Sequence, residues 1–231
     1  MPKPRRRKPG SGDSGLRIVL IWRRSHAGRH AGPLMNILTP LPRITRAAEG
    51  MNRRRFSVAE IEAMVEAGVM DEDERVELIG GELVPMSPKG RHHEAMKTKL
   101  LRRWIRDIPD DLDITPETML TLSPDTFLEP DVVIYPSAAG LSGLTAANVL
   151  LVVEIAASSL RYDRGRKAKL YASFGIRELW VIDAVKKTLR VYLEPTAKGY
   201  RETRDFAYGD LATPTFAPEV FALRLDTLDA R

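Results

Sequence analysis

The chain contains no cysteine. Disulfides, thiolate nucleophiles and thiolate zinc sites are therefore excluded, and a reducing cytoplasm is compatible with the composition without being required by it. Histidine is scarce too: there are four, and His26 and His30 fall within the first fifty residues. That argues against a histidine-rich metal cage, so a metal bound here takes oxygen ligands. Long apolar runs are also missing. The stretch Ile18-Val19-Leu20-Ile21-Trp22 is cut off by Arg23-Arg24, too short for the core of a secretory signal and far below the roughly 20 apolar residues that span a bilayer. The expectation is a soluble, cytoplasmic protein.

Acidic residues are rare only at one end. Residues 1–50 hold eleven Lys/Arg and two Asp/Glu, a net of +9, whereas the whole chain carries +5, which leaves −4 for residues 51–231. The high isoelectric point thus belongs to the first segment and says nothing about the rest, although that segment could attract nucleic acid through its phosphates. An Arg-rich, acid-poor leader fits an organelle transit peptide or a nucleic-acid-binding arm. Its shortage of patterned apolar residues fits a disordered extension better. Two parts are expected: a basic extension over 1–50 and one folded domain over 51–231. In one form of this reading translation begins at Met51.

In the folded part, Ser57-Val58-Ala59-Glu60 has the form of a capping box and predicts a helix over about 58–67 that stops at Gly68. Two alternating runs, Arg75 to Ile79 and Glu82 to Val84, are joined by Gly80-Gly81, a hairpin signal. A two-residue turn sets Ile79 opposite Glu82 and Glu77 opposite Val84, placing Glu77 and Glu82 on one face. Such a pair of acids is either solvated or part of a charged site. From about His93 to Ile108 the apolar residues Met96, Leu100, Trp104 and Ile108 recur every four positions, and Lys99, Arg102, Arg103 and Arg106 form a separate stripe. A basic stripe can track phosphates, but is more often the wet face of a helix. His93, near the start of this helix, is by itself the kind of histidine that more often serves structure than catalysis.

Strands are expected at Thr118–Leu122 and Val132–Tyr135, and at about Leu150–Ile155, whose lack of polar alternation predicts a central strand covered on both faces. If the last two pair antiparallel, Asp131 and Glu154 arrive at the same edge. A helix follows from about Tyr162 to Phe174, capped by Asp163 or a neighbour and ended by Gly175. Leu170, Tyr171 and Phe174 form its apolar stripe, which extends back to Lys167, while Lys169 lies roughly 200° around the helix. Another pair of strands is expected at Glu178–Asp183 and Leu189–Leu193, followed by short strands and loops.

Two acids at the ends of core strands are costly to desolvate unless they hold a cation or do chemistry. Around Mg²⁺ they would leave positions for water and phosphate oxygens. A core-facing lysine beside them could orient or help deprotonate the attacking water and offset transition-state charge. Asp131, Glu154 and Lys167 are therefore a sufficient set for metal-dependent phosphodiester cleavage.

The ordered combination of Val76 to Leu83, Met86-Ser87-Pro88 with His93, Pro130-Asp131-Val132, Val153-Glu154-Ile155, Tyr162 to Lys167 and Tyr171 to Asp183 resembles the Uma family of restriction-endonuclease-like proteins, within the PD-(D/E)XK nuclease superfamily. The resemblance spans about residues 56–205. It implies an α/β (α+β) fold, a mixed central sheet flanked by helices. It also implies Asp131 and Glu154 as ligands of Mg²⁺ (Mn²⁺ as a substitute), with the Ile155 carbonyl as a third, and DNA as the substrate. Where the superfamily's simplest motif has a lysine two residues after the acid, this chain has Ala156. In the Uma family a lysine of the following helix is thought to fill that role, and Lys167 matches it. Glu77, Glu82, His93 and Asp163 match family positions with less defined roles. The expected activity is endonucleolytic cleavage of DNA, and a homodimer would suit cutting both strands. The alternatives are a non-catalytic module of the same fold that binds nucleic acid or a protein partner, and a structural ion cluster.

Overall fold

A computed structural model describes residues 50–229. The expected basic extension, apart from Gly50, lies outside the described residues. Helix α1 (Val58–Glu66) opens with the expected capping box: Ser57 Oγ accepts from the Glu60 N–H at 3.2 Å, and Glu60 Oε2 accepts from the Ser57 N–H at 2.9 Å. The hairpin of β1 (Val76–Ile79) and β2 (Glu82–Pro85) has the predicted register, Ile79 opposite Glu82 and Glu77 opposite Val84. Its turn places Gly80 at φ +59° and Gly81 at φ +84°, a conformation that suits hairpin twist and excludes most side chains.

A Cβ on Gly81 would also stand 2.5 Å from the Cβ of Arg55. Gly81→Ala is therefore expected to lower unfolding free energy by about 1–3 kcal/mol in urea denaturation.

This hairpin belongs to a four-stranded antiparallel sheet in the order β2-β1-β5-β4, with β4 (Leu120–Ser123) and β5 (Thr126–Leu128). Val58 and Ile61 of α1 pack on Leu78 and Phe127. The expected strand at Thr118–Leu122 begins later, because Glu117 bends the chain with φ +48°.

The larger sheet has six strands in the order β10-β9-β8-β7-β6-β3. These are β3 (Leu112–Pro116), β6 (Val132–Pro136), β7 (Leu151–Ala156), β8 (Glu178–Asp183), β9 (Thr188–Thr196) and β10 (Gly199–Phe206). Pairing is antiparallel except between β7 and β8, so the sheet is mixed as expected. Strand β7 is central and buried along its whole length. Its odd residues Leu151, Val153 and Ile155, with Val132 and Ile134 of β6, face Met96, Leu100 and Trp104 of α2 (Arg91–Ile105). Val152 and Val133 face the opposite layer, with Tyr171 and Ile176. By alternation Asp131 and Glu154 fall on this second face.

The chain from Leu160 to Ser173 departs from the single helix expected. It is built from α3 (Leu160–Tyr162), a π-helical turn (Asp163–Lys167) and α4 (Ala168–Ser173), with Gly175 at φ +81° just beyond. Asp163 is not the N-cap, which is Ser159; it follows α3 directly, buried, and accepts from Ser159 Oγ at 2.5 Å. Beyond the long β10 a short α5 (Pro218–Phe221) presses Phe221 against Trp104. On α2, Lys99 pairs with Asp229 and Arg103 with Asp107, while Arg102 and Arg106 are exposed, the pattern of a solvated face. No helix among the described residues is long and apolar enough to cross a membrane.

Candidate active site

Strands β6 and β7 pair Val132 with Val153, and one further step of that register sets Asp131 opposite Glu154. Both are buried, and both line a cavity of about 390 Å³ shared with Glu77, His93, Asp163 and Lys167. The fold thus brings six of the seven side chains expected at the site to one place. The seventh, Glu82, is not among them: it shares the alternation of Glu77 but sits at the hairpin tip, exposed, 3.6 Å from Arg53. A residue's face fixes its direction and not its distance from the corner.

Asp131 is held at both oxygens. Oδ2 accepts from the Ile155 N–H at 2.7 Å, and Oδ1 lies 2.9 Å from His93 Nε2 and 2.9 Å from Lys89 Nζ. Burial alone would raise this carboxyl. The His93 hydrogen bond, the neighbouring positive charges and the Ile155 N–H outweigh it and hold the group well below the usual carboxylate range. The N–H and C=O of one strand residue point to the same side, so the Ile155 carbonyl also faces the side of Asp131, beyond the end of the β6 pairing.

Glu154 receives Tyr171 Oη at 2.6 Å and Lys167 Nζ at 2.8 Å, both on Oε1. Burial pushes this carboxyl up, and the charges of Asp131, Asp163 and Glu77 add to the effect against Lys167. Lys167 also lies 2.8 Å from Glu77 Oε1. Burial would lower its ammonium, but Glu154 and Glu77 reverse the effect and hold it charged. Lys169 is exposed, so helical periodicity separated the two lysines correctly. Burial raises the Asp163 carboxyl against the pull of Ser159 and Lys167.

Three participants carried no distinguishing signal in the sequence. Lys89 sits in a non-repetitive stretch ahead of α2, where no periodicity assigns a face. Its ammonium, which burial would lower, is raised instead by Asp131 and Glu117. Tyr171 was legible as apolar but not as a donor to Glu154. Tyr162 lines the cavity with its hydroxyl buried and without a hydrogen-bond partner among the described residues, and burial and Glu77 push its phenol up to about 12. Tyr171→Phe keeps the ring and removes the donor, so an expected loss of about 1–2 kcal/mol in urea denaturation measures the Glu154 bond.

The cavity is lined by five carboxylates (Glu77, Glu129, Asp131, Glu154 and Asp163) against two ammonium groups and one imidazole. Among the described residues no three His, Asp or Glu side chains are grouped so that they could hold a metal ion by themselves. The corner instead offers two carboxylates and a main-chain carbonyl, an all-oxygen set short of positive charge, and this suits a hard divalent cation that keeps open positions.

The family model for Uma2, described as "Putative restriction endonuclease", matches residues 58–226. A solved structure from Anabaena variabilis ATCC 29413, described as "a putative nuclease belonging to DUF820", is similar with a TM-score of 0.58 and 17% identity, over 75% of this chain and 97% of that one. No curated protein matches the chain. At that identity the structural likeness speaks for the fold: the mixed sheet is nuclease-like.

Proposed function

The chain belongs to the Uma2 family, and from that premise we propose that it is a metal-dependent endonuclease hydrolysing DNA phosphodiester bonds. The observation that carries the reading is the meeting of Asp131 and Glu154 at the open end of β6 and β7 with Lys167 on Glu154. Asp131, Glu154 and the Ile155 carbonyl would hold Mg²⁺, or Mn²⁺ in its place. A dication held there supplies Lewis acidity, drawing charge from the phosphodiester and lowering the pKa of water.

The chain's own groups do the rest. Glu77 and Glu154 fix Lys167 from two sides, so its ammonium is aimed before substrate arrives. From there it orients the attacking water and offsets the negative charge that grows on the phosphoryl oxygens. The neighbouring position that carries lysine in the simplest superfamily motif is Ala156, fully buried, so the helix supplies what the strand does not. His93 orients Asp131 by its hydrogen bond, and Tyr171 does the same for Glu154. Asp163 adds negative charge that favours a cation in the cavity. The described residues form one such corner, so a homodimer would suit cutting both strands.

The internal pairing of Lys167 with two acids also favours a second reading, a nuclease-fold module that binds nucleic acid or a protein partner without cutting it. Supercoiled plasmid incubated with the purified full chain separates them. Nicked and linear products that need Mg²⁺ or Mn²⁺ and vanish with a chelator are expected. DNA retention that weakens with salt and leaves the plasmid intact in every metal supports the binding module instead.

A further inference from the structure

The cavity holds two lysines, and they are held differently. Lys167 projects from a helical turn and is bracketed by Glu77 and Glu154. Lys89 precedes α2 in the non-repetitive stretch Ser87-Pro88-Lys89-Gly90, and its ammonium touches Asp131 on one side and two acids outside the ligand set on the other. The distances are 2.9 Å to Asp131 Oδ1, 2.5 Å to Glu117 Oε1 and 3.7 Å to Glu129 Oε1.

Glu117 is built for this position at some cost. Its backbone lies in the left-handed region, and its N–H donates to the Asp131 carbonyl at 3.3 Å, so its carboxylate is fastened to the main chain of the residue it competes with. It also collects Lys97, 2.7 Å away.

We propose, on the basis of the metal-site reading above, that Lys89 is a tethered counter-ion. It holds the cation position at Asp131 in the metal-free protein, yields it to a divalent cation by withdrawing onto Glu117 and Glu129, and so sets the metal affinity of the site. An ammonium 2.9 Å from Oδ1 and a dication on the same carboxylate repel each other, and both cannot keep that contact. Withdrawal leaves no orphaned charge, because Glu117 already touches Lys89. The same arrangement explains how Asp131 is kept ionised in a buried corner before metal arrives. Lys167 cannot take that part, being aligned to Glu154 and Glu77 and not to Asp131.

Calorimetric titration of the full chain with MnCl₂ at low salt tests the inference on wild type, Lys89→Met, Lys97→Met and Asp131→Asn. Lys97 is the control: it carries the same charge to the same Glu117 without touching Asp131. Lys89→Met is expected to bind Mn²⁺ about tenfold tighter than wild type or better, Lys97→Met within about threefold of it, and Asp131→Asn not at all. Lys89→Gln, shorter, uncharged and polar, should shift affinity the same way, and it stands in if the Met variant does not fold. Equal or weaker binding by the Lys89 variants, or an equal gain in Lys97→Met, overturns the counter-ion role while leaving the metal site standing. Absence of Mn²⁺ binding in folded wild type and in every Lys89 variant overturns the metal site, and the counter-ion role with it.

Discussion

Lys167→Met is expected to cut plasmid nicking by at least about 10²-fold and to lower unfolding free energy by about 3–5 kcal/mol. The two effects have one origin. The lysine side chain is 5% exposed and lies between Glu77 and Glu154, each 4% exposed, so removing its charge leaves two carboxylates facing each other out of water. Among the described residues Lys89, the other ammonium of the cavity, is aligned to Asp131 and does not relieve their mutual repulsion and lost solvation. Adding Glu77→Gln to Lys167→Met removes one of the stranded charges and should return part of the stability without returning activity. Urea denaturation and nicking assays on the single and double variants measure both. Stability that recovers while cleavage stays lost separates the chemical role of the lysine from its structural one.

Glu154→Gln is expected to behave in the opposite way, losing about 10²-fold or more in cleavage while keeping wild-type stability or exceeding it. Gln preserves the shape and can still accept from Tyr171, and Lys167 retains Glu77. What disappears is one negative charge from a corner where carboxylates outnumber ammonium groups and where burial already disfavours the ionised form. A side chain whose removal relieves the resting protein but disables the reaction is held there for the reaction. Thermal unfolding of the metal-free variant, run beside its nicking rate, checks the pair of outcomes. A large stability loss with unchanged cleavage would assign Glu154 to the scaffold.

Much of this corner could be read from residue order. Val132 to Tyr135 and Leu150 to Ile155 are apolar runs with one acid each at an end, and only antiparallel pairing brings those acids together, as β6 and β7 do. Gly80-Gly81 set the hairpin register because a two-residue turn permits few others. Helical spacing back from Tyr171 selected Lys167, and the π-helical turn did not spoil that count because α4 begins immediately after Lys167.

What could not be read depends on distance without periodicity. Lys89, Glu117 and Glu129 lie outside any helix or strand, and alternation says nothing about where such side chains end. Glu82 shows the complementary failure: its face was right, but the tip of a hairpin lies far from the corner and next to Arg53. The second sheet is not legible in the sequence because β5 is three residues long, too short to show a pattern. The π-helical turn burying Asp163 has no sequence signature distinct from an α-helix, so the sequence does not decide between Asp163 and its neighbour Ser159 as the cap.

We read Asp131, Glu154 and Lys167 as one hydrolytic site. Plasmid nicking in Mg²⁺ by wild type, Asp131→Ala, Glu154→Ala and Lys167→Ala, each purified identically and shown to be folded by circular dichroism, tests it most directly. The expected result is cleavage by wild type and a loss of at least about 10²-fold in each variant. Equal cleavage by all four proteins, or a wild-type protein that neither cleaves nor binds a divalent ion, would contradict it.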